Sequence, residues 1–483
     1  MKTLIISLSI LVLTGVNSLY SSGKAINCNR ILVQEEFNPD GSWAGTLNIS
    51  SAKLRIVFNV SRDSSGNLTA NLDSPDQGAF GILVDEVIVK DDSIKFIVGV
   101  VKGFYAGKFY PDSLKISGIW NQGGMALPLD LKKTEKLEKP KRPQEPKEPF
   151  PYKSEEVKFI NPETGDTLAG TLSMPDTAGP FTAVILVTGS GPQDRNEELL
   201  GHKPFLVLAD YLTSNGIAVL RYDDRGIGES TGDFRKATSE DFADDAIAAV
   251  EFLKKRSEVN KIGVAGHSEG GIIAPMVAVQ SEDVDFIVLM AGTGIRGDSI
   301  LILQSELIMR ASGSDEATLS RDLGIYRQIY SILVSDNDDE TIKQELTEIL
   351  DDSFKYLTEE EKAEVGTKEQ MIEMQLNVLL GKWFRYFVMY DPYPTLTKVK
   401  CPVLAINGEK DLQVPPKENL SAIEKALKEG ENKNYKIVEM PGLNHLFQKS
   451  ETGAPSEYGN IEETFSPDAM KVISDWILTE AIK

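Results

Sequence analysis

The chain has 483 residues, 41% of them hydrophobic and 26% charged, a composition for roughly two to four soluble domains. A formal net charge of −22 opposes binding to nucleic acid or to an anionic membrane, since both would repel it. There are two cysteines, Cys28 and Cys401, and three histidines, His202, His267 and His445. None of these forms a group with zinc-ligand spacing, so neither a metal centre nor another cofactor is expected.

Residues 1–18 read as a secretory signal: Lys2 gives the positive end, 4–13 the apolar core, and Val16 and Ser18 the small residues before a cleavage site. The apolar stretch is too short to span a bilayer, which takes about 20 residues. We therefore expect an exported chain, periplasmic or extracellular, that is soluble after cleavage.

Residues 25–133 carry turn-forming residues every eight to twelve positions, with alternating segments at 54–60, 66–72, 93–98 and 113–120. This predicts a small N-terminal antiparallel β domain. Its aromatics, among them Trp43, Phe58, Phe96, Tyr105 and Trp120, suit a packed core better than a ligand site. Residues 134–152 are rich in Pro, Lys and Glu and cannot bury a core, so they read as a linker.

From residue 153 to 483 the pattern changes. An antiparallel pair at 157–160 and 167–172 precedes apolar runs at 183–187, 217–220, 262–265, 286–289, 403–406 and 435–438, separated by helical stretches. Such runs predict an α/β domain whose mostly parallel sheet is covered by helices on both faces. The segment 294–393 interrupts it with a helical pattern and reads as a lid insertion.

Within this domain, Gly266-His267-Ser268-Glu269-Gly270 lies between an apolar run and a helical segment. Strand, G-x-S-x-G, helix is the setting of a nucleophile elbow, where the serine occupies a strained turn at a helix N-terminus. An activated serine needs a base, and the base an orienting acid. Downstream of Ser268 there is one histidine, His445, in a Gly-rich turn after the last apolar run. The acid is expected on the loop after 403–406, where Asp411 is favoured over its rival Glu409. An oxyanion site needs two N–H donors. The residue after the serine, Glu269, offers one. The glycine-rich loop at 188–191 offers the other, with Ser190 first and Gly191 second.

Together, Thr188-Gly-Ser-Gly-Pro-Gln-Asp-Arg-Asn196, Arg221-Tyr-Asp-Asp-Arg-Gly-Ile-Gly-Glu-Ser230, the Ser268 pentapeptide, Gly408-Glu-Lys-Asp411 and Gly442-Leu-Asn-His445 resemble the serine-hydrolase branch of the α/β-hydrolase superfamily. Within it the likeness is to exported bacterial carboxylesterases related to the serine aminopeptidase group, which carry an N-terminal β domain. The resemblance implies the α/β-hydrolase fold over 153–483, with Ser268 as nucleophile, Asp411 as acid, His445 as base, and backbone N–H groups of Ser190 and Glu269 as oxyanion donors. Thr188 departs from the pattern, since many relatives carry histidine there. The loop 221–230 is read as scaffolding, its Asp and Arg pairing to hold it beside the site.

The expected activity is cleavage of small carboxylic esters through an acyl-enzyme. Trp383 and its aromatic neighbours in the insertion are candidates for an acyl pocket. Two alternatives stand beside it: a peptidase of the serine aminopeptidase type, and a non-catalytic binding protein on a hydrolase scaffold.

Overall fold

Every residue of the strands Ala218–Tyr222 and Phe286–Met290 is buried. They read as unbroken apolar runs because helices cover both faces of their sheet. The computed structural model describes residues 37–49, 52–75, 79–122, 125–135, 141–358, 361–362, 365 and 367–481. The expected signal at 1–18 and Cys28 lie outside the described residues.

The eight-stranded sheet contains β1 (Tyr152–Ile160), β2 (Thr167–Pro175), β3 (Phe181–Val187), β4 (Ala218–Tyr222), β5 (Val259–His267), β6 (Phe286–Met290), β7 (Val403–Gly408) and β8 (Tyr435–Met440). Their spatial order is β1-β2-β4-β3-β5-β6-β7-β8. β1 and β2 are antiparallel, as are β2 and β4, and every later pair is parallel. Along β3, Ala183, Ile185 and Val187 face a core shared with α2 (Ser239–Lys254), α3 (Gly270–Gln280) and α9 (Pro416–Glu429). Val184 and Leu186 point the other way, onto α1 (Pro204–Ser214) and α10 (Pro467–Trp476). This is the α/β-hydrolase sheet that the sequence resemblance implies.

The insertion between β6 and β7 is helical, with α4 (Gly297–Ala311), α5 (Glu316–Leu333), α6 (Asp339–Ser353), α7 (Lys368–Leu379) and α8 (Lys382–Met389). It has a core of its own, built on Leu319, Tyr326, Ile329 and Leu346, to which Met371 and Phe384 belong. A second, smaller apolar cluster joins α8 and α4 to the elbow helix through Phe387, Ile300, Ile272 and Val414, with Trp383 and Tyr390 packed against it.

The N-terminal unit is a nine-stranded sheet whose described pairings are all antiparallel. Its first strand, Gly41–Ile49, lies between Ala52–Arg62 and the last strand, Met125–Thr134. Period-2 alternation sends Trp43, Phe58, Phe96, Tyr105 and Trp120 inward, where all are buried. Phe58 stacks on Phe96 at 4.1 Å, and the Tyr105 hydroxyl reaches the carbonyls of Ile116 and Leu129. These side chains fill the interior as core.

The stretch read as a linker is docked along part of its length. Arg142 uses all five guanidinium N–H groups on main-chain carbonyls: Gly201, Leu200, Gly459, Ile461 and its neighbour Lys141. Gln144 pairs with the backbone of Thr464 and Phe465 through both ends of its amide. Composition alone favours a free spacer here. The hydrogen-bonding capacity of one arginine and one glutamine makes it a strap on the α/β domain.

Candidate active site

Four loops at the carboxyl ends of β3, β5, β7 and β8 carry the residues singled out by sequence. Ser268 follows β5 with φ of 54°, a left-handed conformation uncommon for a residue with a side chain. Its amide donates to the Met290 carbonyl at 2.9 Å, which fixes the turn to the neighbouring strand. The flanking glycines are required by space. A Cβ on Gly266 would lie 1.8 Å from the Gly270 carbonyl oxygen, and one on Gly270 would lie 2.2 Å from that of Val187. The turn therefore delivers Ser268 to the N-terminal end of α3, where unpaired N–H groups gather.

Asp411 and His445 come together although 34 positions separate them. His445 Nδ1 lies 2.8 Å from Asp411 Oδ2, and both residues are buried. The carboxylate is held by three further donors: the amides of Gln413 and Val414 on Oδ1, each at 2.8 Å, and Asn407 Nδ2 on Oδ2 at 3.2 Å. Glu409, the rival acid, is exposed and accepts from the Gly442 amide at 2.7 Å, so it shapes the turn before His445 rather than meeting the ring.

The loop after β3 runs over the elbow. A Cβ on Gly189 would sit 3.2 Å from that of Ser268, tighter than an ordinary contact, so glycine eases this approach. The Gly189 amide is taken by Glu197 Oε1 at 2.8 Å. Thr188 Oγ1 donates to Asp224 Oδ1 and the Gln193 amide to Asp224 Oδ2, both at 2.9 Å. Asp224 is buried, and that burial holds its carboxyl well above the usual carboxylate range. Thr188, the departure from the family pattern, is thus an anchor of this loop. Further along the same scaffold, Asp223 pairs in bidentate fashion with Arg195, and Arg225 Nε lies 2.7 Å from Asp245.

Glu269 is buried beside the serine, and its side chain is fully engaged. Oε1 accepts from Ser239 Oγ at 2.6 Å and from Trp383 Nε1 at 2.8 Å, and the Ser190 hydroxyl also hydrogen-bonds the carboxyl group. Burial raises its pKa and these donors pull the other way. Trp383, named from sequence as a pocket residue, therefore ties the lid to the elbow. Its ring stacks on Phe387 at 5.3 Å. Of the apolar residues near it in the insertion sequence, Met374 and Met389 are exposed, while Met371 and Phe384 sit in the lid core.

Two residues of the site escaped sequence reasoning. His267 and Glu197 form a buried pair, Nδ1 to Oε1 at 2.9 Å, and His267 Nε2 lies 3.0 Å from the His445 carbonyl oxygen. The contact spans 70 positions, and no spacing rule connects them.

Two family models match parts of the chain: Serine aminopeptidase, S33, over residues 203–316, and Prolyl oligopeptidase family over residues 352–465. Both lie within the domain whose sheet order has just been given. This domain has the α/β-hydrolase fold. Among its relatives is Esterase EstD of Thermotoga maritima, 29% identical over 312 residues, or 62% of this chain and 65% of that protein. A shorter match, 38% identical over 92 residues, covers 19% of this chain and 29% of an acyl transferase of Shewanella hanedai. Solved structures include an esterase of Pyrococcus furiosus, with a TM-score of 0.41 and 13% identity, covering 68% of this chain and 92% of that one. The chain spans less than two-thirds of the length of the curated relatives it matches.

Proposed function

We propose that the protein is an exported serine hydrolase that cleaves carboxylic esters through an acyl-enzyme on Ser268. The observation that carries this reading is the left-handed Ser268 at the head of α3 together with the 2.8 Å contact between Asp411 and His445 on the loops of neighbouring strands. In the proposed reaction His445 Nε2 takes the Ser268 hydroxyl proton while Oγ attacks the ester carbonyl. Asp411 keeps the other ring nitrogen protonated and stabilises the imidazolium that forms. The Ser190 and Glu269 amides receive the developing oxyanion. The Gly189 amide, already bonded to Glu197, supports this choice. The protonated His445 then releases the alcohol, and water repeats the sequence to free the acid.

The likeness to an esterase favours ester substrates, while both matching family models are named for peptidases. An aminopeptidase would need an open carboxylate for its substrate's amine. The acid nearest Ser268 in sequence, Glu269, is instead occupied by Ser239 and Trp383, which argues for esters. Reaction with a fluorophosphonate followed by mass spectrometry tests the proposal. One adduct on Ser268 is expected, and an unmodified Ser268 would leave the binding-protein reading in its place.

A further inference from the structure

His267 precedes the elbow serine, and its side chain enters none of the steps above. Nothing about a G-x-S-x-G turn requires histidine there, yet this one is buried and makes two specific contacts. Nδ1 faces a carboxylate oxygen, Glu197 Oε1, at 2.9 Å, and Nε2 faces a main-chain carbonyl, His445 O, at 3.0 Å. A carbonyl oxygen carries no hydrogen, so Nε2 must donate. The Glu197 oxygen already accepts the Gly189 amide, which suits a carboxylate that takes a second donor from Nδ1. Two acceptors for two ring nitrogens describe an imidazolium. Its ring centroid is 4.9 Å from that of His445.

The pair reaches both sides of the serine. Through Glu197 it grips Gly189, one residue before the candidate oxyanion donor Ser190. Through Nε2 it grips the main chain of the candidate base. Ser268 lies between, directly after His267 in the chain. Glu197 is not in a relaxed setting: its φ is 52° and its Oε2 has no hydrogen-bond partner among the described residues, and both side chains of the pair are almost fully buried. A buried ion pair of this kind is weak support for stability, so its placement calls for another account.

We propose that the His267–Glu197 pair is a positioning device, holding the oxyanion loop and the base loop at a fixed separation across Ser268, with His267 doubly protonated. The proposal rests on the serine-hydrolase reading. The charged groups facing His267 are Glu197 from the loop after β3 and Asp411 from the loop after β7, and His445 adjoins it from the loop after β8. Burial alone would lower the pKa of His267, and the two carboxylates with the two hydrogen bonds bring it above the ordinary histidine value.

Glu197→Gln removes the charge and keeps an acceptor of the same reach. His267 then loses one of its two N–H groups as pH rises, and one of the two loops is released. The expected result with an ester substrate is a fall in kcat of about ten- to a hundredfold with KM little changed, the scale of a misplaced catalytic group. The ratio of wild-type to variant rate should grow as pH is raised across neutrality, which a merely structural defect would not produce. A measurement on the unmutated full chain guards against a variant that does not fold. With 15N-labelled histidine, two downfield imidazole N–H signals are expected at pH 7, assigned by their loss in His267→Gln. A single N–H on His267 at pH 7 would overturn the proposal, as would a Glu197→Gln protein whose Ser268 reacts with fluorophosphonate at the wild-type rate. A wild type that does not react at all sinks the hydrolase reading, and the device with it. That outcome is told apart because the unmutated protein is then itself inert.

Discussion

The indole Nε1 of Trp383, on the lid helix Lys382–Met389, donates to Oε1 of Glu269 at 2.8 Å. Glu269 is the residue after Ser268, so the lid and the elbow share a buried hydrogen bond. Trp383→Phe keeps the stack on Phe387 but removes the donor. Leaving a buried carboxyl one bond short should cost about 1–3 kcal/mol, measurable by urea denaturation. Trp383→Ala also empties ring volume beside Phe387, and the preferred acyl chain of an ester series should lengthen. An unchanged preference would show that Trp383 is a lid clasp only.

Two glycines separate space from backbone freedom. At Gly266 a Cβ would lie 1.8 Å from a main-chain oxygen that cannot move without dismantling the elbow. Gly266→Ala should lose activity and at least about 3 kcal/mol of stability. Gly324 lies inside the lid helix Glu316–Leu333, and no other described residue comes within 4 Å of its added Cβ. There the same change should stabilise by up to about 1 kcal/mol through helix propensity. Denaturation midpoints of the two variants should therefore move in opposite directions.

Arg142 donates five hydrogen bonds to carbonyls, four of them on the two loops that flank His202. Arg142→Ala should destabilise the protein by about 2–4 kcal/mol, since each orphaned carbonyl is partly shielded from water. Arg142→Lys should recover little, because an ammonium cannot copy the planar fork. Thermal melts of the three proteins decide this, and equal melting temperatures would mean that the strap bears no load.

His202 supplies a pH dependence whose sign is fixed. It is fully buried, with Nδ1 bonded to Thr464 Oγ1 at 2.9 Å and Nε2 placed 2.9 Å from the Tyr458 carbonyl. Burial, and then the nearby Arg142 charge, push its pKa down to about 4 from an ordinary 6.5. A histidine with a depressed folded pKa adds stability that is complete above the unfolded value and is lost as pH falls between about 6.5 and about 4. The full loss is on the order of 3 kcal/mol. Unfolding free energies at pH 7.5 and 4.5 should differ by less in His202→Gln than in the wild type, whatever the variant's absolute stability.

Much of this was legible in the sequence because short-range rules carry it. The continuous apolar runs follow from a sheet buried on both faces, and the elbow follows from five consecutive residues. Ser, Asp and His in that order then lead to Asp411 and His445, which the structure brings together. What was not legible depends on contacts between distant segments. Glu197 reads as one more acid in a polar loop until the fold sets it against His267. Arg142 reads as linker charge until the carbonyls of Leu200 and Gly459 surround it. Trp383 offered an apolar ring to the sequence, and its N–H proved to have an equally specific partner. In each case a polar atom found its partner through tertiary structure, and periodicity records only the apolar ones.

The most direct test of the central claim is hydrolysis of p-nitrophenyl esters of graded chain length by the wild type and by Ser268→Ala. The account predicts turnover by the wild type with an optimum chain length, and a loss of at least about a thousandfold in the variant. Equal turnover by the two proteins, or none by a correctly folded wild type, would contradict it.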